Sequence, residues 1–221
     1  MVILMFMDHL YQFIPGMPLW LTWLGRLVAP VFFFLVAEGL RHTSNRWAYF
    51  YRLFLFGLAM FVGNRLLAWL FPYGDGIPNN IFLSLALAVA FVTVLEDARK
   101  REQIRQSIVP LVVIGVLSLL TEASFLGIPL VLIFFYLRET PLKMALYYGL
   151  LSLVFFPFNI EGGIDLQVAV YQQYQWMMIG ALPFFYLYSG ARGPRLRYVF
   201  YLFYPLHIYG LYLAGYILAS R

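Results

Sequence analysis

The chain has 221 residues, of which 63% are hydrophobic and only 11% charged, and its mean hydropathy is +0.80. This composition excludes an ordinary soluble domain and is typical of a polytopic membrane protein. The sequence contains no cysteine, which excludes disulfides, thiolate metal sites and a cysteine nucleophile. The three histidines are far apart, without metal-ligand spacing, so no metal site is expected.

Hydropathy and turn residues predict an all-α protein with about nine transmembrane helices, within a range of about eight to ten. The predicted helices cover residues 1–14, 19–40, 47–71, 79–96, 107–120, 123–137, 143–158, 171–189 and 197–219. Clusters of Pro and Gly mark most of the breaks between them. The fifth and sixth helices are short, and they could instead be half-helices or one bent segment. We expect one transmembrane domain over residues 1–221.

Lys and Arg are concentrated in alternate loops, and this pattern predicts the orientation of the chain because cation-rich loops stay in the cytoplasm. Twelve cations flank the second, fourth, sixth and eighth loops, namely Arg41, Arg46, Arg52, Arg99, Lys100, Arg101, Arg105, Arg138, Lys143, Arg192, Arg195 and Arg197. The opposite side has Arg221 alone. We therefore expect a cytoplasmic N-terminus and an external C-terminus. The net charge of +5 then reflects topology rather than binding to nucleic acid.

Arg26 and Arg65 do not fit the loop pattern of the cations, and two further ionisable residues, Asp8 and His9, lie at a similar depth. Asp8 and His9 lie on the first helix, Arg26 on the second and Arg65 on the third. An intramembrane charge costs about 2.5 kcal/mol or more on insertion scales, so it normally faces the protein interior or an aqueous cavity and has a partner. We expect Asp8 or Glu122 to pair with Arg26 or Arg65. His9 should then point elsewhere, because adjacent residues are about 100° apart around a helix.

Each of these polar groups also has a purely structural interpretation. An ion pair and a histidine bonded to a nearby carbonyl could simply lock helices together. His207 in the last helix follows Pro205, whose missing N–H leaves a carbonyl near by to be satisfied, so His207 could equally serve packing. A further polar cluster lies at the inner ends of the helices and includes Glu38, Arg41, His42, Asn45 and Arg46. It could be an anion site or a set of topogenic charges.

Several motifs occur in a recognisable order. The run GRLVAPVFFFLVAEGLRHTSNRWAYFYRL, Gly25 to Leu53, contains Gly-Arg, Pro, Glu-Gly, His-Thr-x-Asn and Tyr-x-x-Arg-Leu. MDH, Met7 to His9, precedes it. YSGARG, Tyr188 to Gly193, and RYVFYLFYPLHI, Arg197 to Ile208, follow near the C-terminus. Together these motifs resemble those of the TraX family, named for the F-pilin N-terminal acetylase, with a weaker match over residues 60–120.

The resemblance implies a membrane acetyltransferase of the bacterial inner membrane. Such an enzyme would move an acetyl group from cytosolic acetyl-CoA to an acceptor amine, either a peptide N-terminus such as that of pilin or a small amine. Acetyl-CoA is polyanionic, and arginines can neutralise its phosphates. The contacts expected for it are Glu38, Arg41, His42, Asn45, Arg46, Arg52, Arg192 and Arg197. Its pantetheine arm would reach the buried histidine through an intramembrane tunnel.

Within that activity, His9 is the expected catalytic base, which deprotonates the acceptor ammonium before the amine attacks the thioester. Arg26 or Arg65 would stabilise the oxyanion, with Asp8 positioning one of them. His207 is the rival base. In a two-step variant, His9 itself carries the acetyl group. Two alternatives are a small-molecule transporter, which often shows internal repeats that this sequence lacks, and a non-catalytic membrane protein.

Overall fold

The computed structural model describes residues 1–159, 163–164, 166–190 and 197–220, with side chains described for 1–157, 166–190 and 199–220. The α-helices of this part of the chain are α1 Val2–Phe13, α2 Trp20–Gly25, α3 Val28–His42, α4 Arg46–Leu70, α5 Ile81–Lys100, α6 Ile104–Leu119, α7 Gly127–Leu137, α8 Pro141–Leu153, α9 Leu182–Leu187 and α10 Arg197–Ala219. Two two-residue strands, β1 Phe158–Asn159 and β2 Gly163–Ile164, pair antiparallel. Helical turns of other types cover Ser124–Leu126, Val168–Gln172 and Tyr174–Ala181.

The helices have the composition of a membrane protein. Within the described residues, four helical segments are long and apolar enough to cross a bilayer: Trp20–His42, Arg46–Leu70, Ile81–Lys100 and Val199–Ala219. Two shorter apolar helices cover Ile104–Leu119 and Ser124–Leu137. The expectation of a helical membrane protein is confirmed, whereas the number of nine spans and the cytoplasmic N-terminus stay predictions.

The predicted helix over residues 19–40 is interrupted by a turn between α2 and α3. Pro30 explains where this turn lies. A proline has no N–H to donate and its ring clashes with the carbonyl four residues earlier, which here belongs to Arg26. The turn therefore places Arg26 where the helix is interrupted.

The predicted continuous helix over 171–189 is wrong. The chain instead forms a π-helical turn, a 3₁₀ segment and the six-residue helix α9. Pro183 lies in the first turn of α9, a position where the missing N–H has no helical partner to lose. The predicted helix over 143–158 likewise ends early, at Leu153.

The chain divides into two compact units, which we call the terminal unit (Met1–Val31 and Glu139–Arg221) and the central unit (Phe32–Arg138). In the terminal unit, α1 packs against α2 and α10. Its buried aromatic contacts include Phe13 edge-on to Tyr212, with ring centroids 5.8 Å apart, and Tyr148 edge-on to Phe185 at 5.2 Å. The Tyr148 hydroxyl also donates to the Met178 carbonyl.

In the central unit, α5 packs against α4, α6 and α7. Small residues make the close approach of α5 possible, because they let helix backbones come near one another. Gly57 of α4 lies against Leu83, and Ala86 and Ala88 of α5 are fully buried. The single transmembrane domain expected from the sequence stays a prediction.

Candidate active site

Two histidines from opposite ends of the chain are hydrogen-bonded to each other inside the terminal unit. His9 lies on α1 and His207 on α10, and Nδ1 of His9 is 2.8 Å from Nε2 of His207. The side chains are almost removed from the surface, since His9 is 4% exposed and His207 7%. The sequence presents these histidines as rival bases, and the geometry makes them one unit.

The hydrogen bonds show which histidine of the pair donates and which accepts. Nδ1 of His207 lies 2.7 Å from the carbonyl oxygen of Phe203, and a carbonyl can only accept, so this nitrogen carries the proton. Nε2 of neutral His207 must then accept, and Nδ1 of His9 donates to it. Neutral His9 therefore has its lone pair on Nε2.

Aromatic rings hold both imidazoles in place. The Phe203 ring stacks on His207, with centroids 4.7 Å apart and planes 17° from parallel. Tyr204 presents its edge to both histidines, at 6.0 Å from His9 and 5.7 Å from His207. Such contacts favour a defined ring orientation, which a directed hydrogen-bond chain requires.

Asp8, one residue before His9, takes part in a second polar cluster. Arg26 Nη2 lies 3.4 Å from an Asp8 carboxylate oxygen, and the Thr22 hydroxyl donates to the same carboxylate at 2.6 Å. Arg26 also donates to Gln175 Oε1 at 3.1 Å and lies 5.6 Å from the centre of the Tyr174 ring. The expected pairing of Asp8 with Arg26 is thus present, and His9 points elsewhere as the helix geometry predicts.

Gly25 is part of why this cluster fits together. A Cβ at Gly25 would overlap the Asp8 carboxylate, so the absence of a side chain lets α1 and α2 approach. Sequence reasoning missed the roles of Gly25, Thr22 and Gln175. The contact of Thr22 with Arg26 could have been predicted, because Thr22 precedes Arg26 by four residues and so shares its helix face. The contact of Gln175 could not, because Gln175 is 149 residues away from Arg26.

Arg65 and Glu122, the other residues considered for this pairing, have contacts within the central unit. Arg65 belongs to the central unit and lies over the Phe61 ring, 5.6 Å from its centre. Glu122 Oε2 accepts a hydrogen bond of 2.5 Å from the backbone N–H of Asn80.

Four residues expected to contact acetyl-CoA lie near the C-terminal end of α7 in the central unit. Glu38 forms an ion pair of 2.6 Å with Arg138 and lies 4.0 Å from His42. Arg41 donates to the Phe135 carbonyl at 3.2 Å. The guanidinium of Arg46 lies over the Phe135 ring at 5.4 Å. Sequence reasoning gave Arg138 only a topogenic role and missed its pairing with Glu38.

The remaining residues expected at the acetyl-CoA site have separate environments. Asn45 is the N-cap of α4, and its side chain accepts from the Ala48 N–H at 2.8 Å. Arg52 lies over the Tyr49 ring, and its Nε is buried without a hydrogen-bond partner among the described residues. Arg192 lies outside the described residues, and Arg197 begins α10 but is described only by its backbone.

Comparison with known proteins identifies one matching family and one similar protein. A family model described as TraX protein matches residues 1–214. The chain is 26% identical over 204 residues to a protein of Dichelobacter nodosus named probable fimbrial assembly protein FimC, serogroup H1, and the match covers 85% of this chain and 80% of that protein. No solved structure matches the chain.

Proposed function

The chain belongs to the TraX family, and from this membership and the histidine pair we propose that it is an integral membrane acetyltransferase. It takes the acetyl group of cytosolic acetyl-CoA and transfers it to an acceptor amine, either a peptide N-terminus or a small amine. The observation that carries the proposal is the directed hydrogen bond from His9 to His207. A buried imidazole with its lone pair on a defined nitrogen has the features of a general base.

His9 is the proposed base. Its Nε2 takes a proton from the acceptor ammonium, and the neutral amine attacks the thioester carbonyl. A C–N bond forms, the C–S bond breaks, and the proton passes from His9 to the leaving thiolate, while the second proton that the nitrogen loses on becoming an amide goes to solvent. His207 is a positioning residue in this scheme, because it holds His9 in one tautomer and accepts from the imidazolium that forms.

Arg26 is the proposed electrostatic partner of the reaction. A guanidinium at a partly buried position stabilises developing negative charge more strongly than one in water. The Asp8 carboxylate, the Thr22 hydroxyl and the Gln175 side-chain oxygen hold the guanidinium in place. The side chains of Arg26 and Asp8 are 29% and 20% exposed, so the cluster keeps some access to solvent.

Acetyl-CoA is the proposed acyl donor, with arginines of the central unit as contacts for its phosphates. The orphaned buried Nε of Arg52 fits this role, because a phosphate oxygen would satisfy it. Arg41 and Arg46 are the further candidates. Glu38 is already engaged with Arg138, so its proposed part is to hold that arginine. The intramembrane tunnel, and contacts from Arg192 and Arg197, stay predictions from the sequence.

The activity can be tested before the acceptor is identified. Membranes that contain the protein are incubated with radiolabelled acetyl-CoA, and labelled products are compared with those of membranes carrying the His9→Ala variant. The proposal predicts a labelled amide product in the first sample and its loss in the second. Identical labelling patterns would overturn it.

A non-catalytic role in assembly is the second candidate, favoured by the name of the Dichelobacter nodosus relative. The two candidates differ in their affinity for acetyl-CoA. An enzyme must bind its donor in the folded state, so acetyl-CoA raises the melting temperature of purified protein. An assembly factor without this activity shows no shift.

A further inference from the structure

The central unit contains a cavity that the proposed chemistry does not use. Its volume is about 320 Å³, and its polar lining residues are Asn64, Arg65, Asp75, Asn80, Thr121 and Glu122. They come from α4, from the segment between α4 and α5, and from the turn after α6. We call it the asparagine cavity. A volume of this size suits a small ligand.

Two residues of opposite charge that line this cavity, Arg65 and Asp75, form no ion pair with each other. Arg65 lies in a candidate membrane span, and its guanidinium contacts the Phe61 ring but forms no ion pair with any described residue. Asp75 also has no ion pair within the described part of the chain. An arginine in a membrane helix normally has an anionic partner or lines a functional site. The lining therefore has a cationic group and an anionic group available to a ligand.

Two buried amides add acceptors to the lining. The Asn64 amide nitrogen donates to the carbonyls of Ile77 and Asn79 at 3.1 and 2.8 Å, and that of Asn80 donates to the Gly57 carbonyl at 2.8 Å. These bonds identify the other amide atom as oxygen in both residues. Both oxygens are buried without a hydrogen-bond partner among the described residues, and the side chains are 6% and 7% exposed.

A buried acceptor without a donor is unfavourable by about 1–3 kcal/mol, so a ligand whose N–H donors reach these two oxygens as it binds would be stabilised by them. A primary ammonium has three such donors and a positive charge that suits Asp75. Arg65 provides a planar donor group for phosphate or carboxylate. The apolar lining residues Phe61, Leu83 and Leu120 suit a hydrocarbon portion.

We propose that the asparagine cavity binds a zwitterion in which a primary ammonium and an anionic phosphate or carboxylate are a few bonds apart. The ammonium faces Asp75 and the asparagine oxygens, and the anionic group faces Arg65. Two sources have this chemistry. One is the headgroup of phosphatidylethanolamine in the surrounding bilayer, and the other is a free zwitterion such as an amino acid.

The test measures binding to the purified full-length protein. Phosphatidylethanolamine, phosphatidylcholine and phosphatidylglycerol with identical acyl chains are titrated and their affinities determined by native mass spectrometry. O-phosphoethanolamine and glycine are titrated by calorimetry. Phosphatidylcholine lacks ammonium N–H donors and phosphatidylglycerol lacks the cation, so phosphatidylethanolamine should bind about tenfold more tightly than either, the ratio expected from one charged hydrogen bond.

The two sources give distinct results. Selective binding of phosphatidylethanolamine without binding of the soluble compounds assigns the site to the lipid headgroup. Binding of O-phosphoethanolamine or glycine assigns it to a free zwitterion. If phosphatidylethanolamine binds no more tightly than the other two lipids and neither soluble compound binds, the proposal is overturned, and this comparison needs no variant.

Variants then locate the site. Arg65→Gln and Asp75→Asn should each weaken the selective binding by about tenfold. Arg105→Gln is the matched control, because Arg105 is exposed at the start of α6 and does not line the cavity. Wild-type affinity in both cavity variants, or an equal loss in the control, would contradict this location.

Discussion

Among the individual residues, His9 and His207 behave as one acid–base unit because one hydrogen bond joins them and a second one orients the pair. Each histidine was a candidate from the sequence, since an ionisable group inside an apolar helix indicates function. Their contact could not be predicted, because 198 positions separate them and hydropathy does not say which helices pack together. The pairing of Asp8 with Arg26 was predictable, since few intramembrane charges of opposite sign were available.

The histidine pair leads to a prediction about His207. In His207→Gln, the hydrogen bond that fixes the tautomer of His9 is disturbed, so kcat should fall by about 10–100-fold, somewhat below a full general-base contribution. KM for acetyl-CoA should stay unchanged, because His207 is not a proposed contact of the donor. The double variant with His9→Ala should be no slower than His9→Ala alone, since the two residues act through one step.

Leu206→Ala is the matched control, because Leu206 neighbours His207 on α10 and is 66% exposed. It should keep the wild-type rate. If the two substitutions reduced the rate by amounts that were strictly additive in free energy, His9 and His207 would act independently, and the shared step would be contradicted.

Gly25 allows a test of the cluster around Asp8. In Gly25→Ala the new Cβ would overlap the Asp8 carboxylate, so the ion pair with Arg26 must shift. Overpacking of this kind costs about 1–3 kcal/mol, and a lower melting temperature together with a lower transfer rate is expected. Gly149→Ala on α8 is the control, since a Cβ there meets nothing within 4 Å. Equal melting temperatures in the two variants would contradict the close contact.

Among the helices, long apolar runs were predicted well because hydropathy and turn residues locate them independently of tertiary contacts. The predicted helices over 47–71 and 197–219 correspond closely to α4 Arg46–Leu70 and α10 Arg197–Ala219. Prediction failed over residues 171–189, where Pro183 and the polar run before it favour irregular turns. Hydropathy alone could not separate these turns from a continuous helix.

The start of α4 provides a prediction about a single helix. Asn45→Ala removes the side-chain cap on the Ala48 N–H and should lower the stability of the ligand-free protein by about 1 kcal/mol. Asn45→Asp keeps the capping oxygen and should be close to wild type. The measurement is the thermal midpoint in detergent, with Ser44→Ala as the neighbouring control. A midpoint in Asn45→Ala equal to that of Ser44→Ala would exclude an important cap.

For the molecule as a whole, family membership over residues 1–214 and the apolar helices describe a helical membrane protein of the TraX family. Both conclusions could be reached from the sequence, because motifs and hydropathy are properties of the chain itself. The orientation of the chain in the membrane is not a property of the chain alone, since it depends on a bilayer with two distinct sides. The distribution of Lys and Arg still predicts it.

The absence of cysteine makes this orientation directly measurable. Ser44→Cys lies in a predicted cytoplasmic loop and Pro72→Cys in a predicted external loop. A membrane-impermeant maleimide added to spheroplasts should label the second variant and not the first. Labelling of the first variant alone would reverse the predicted topology.

The central claim is that His9 is the base for acetyl transfer, and one rate comparison tests it most directly. Purified wild-type protein and His9→Ala are supplied with radiolabelled acetyl-CoA and a peptide amine, with Ile3→Ala, an exposed position on α1, as the control. We expect transfer by wild type and Ile3→Ala, and a rate lower by about 100-fold or more in His9→Ala. Full transfer by His9→Ala would contradict the claim.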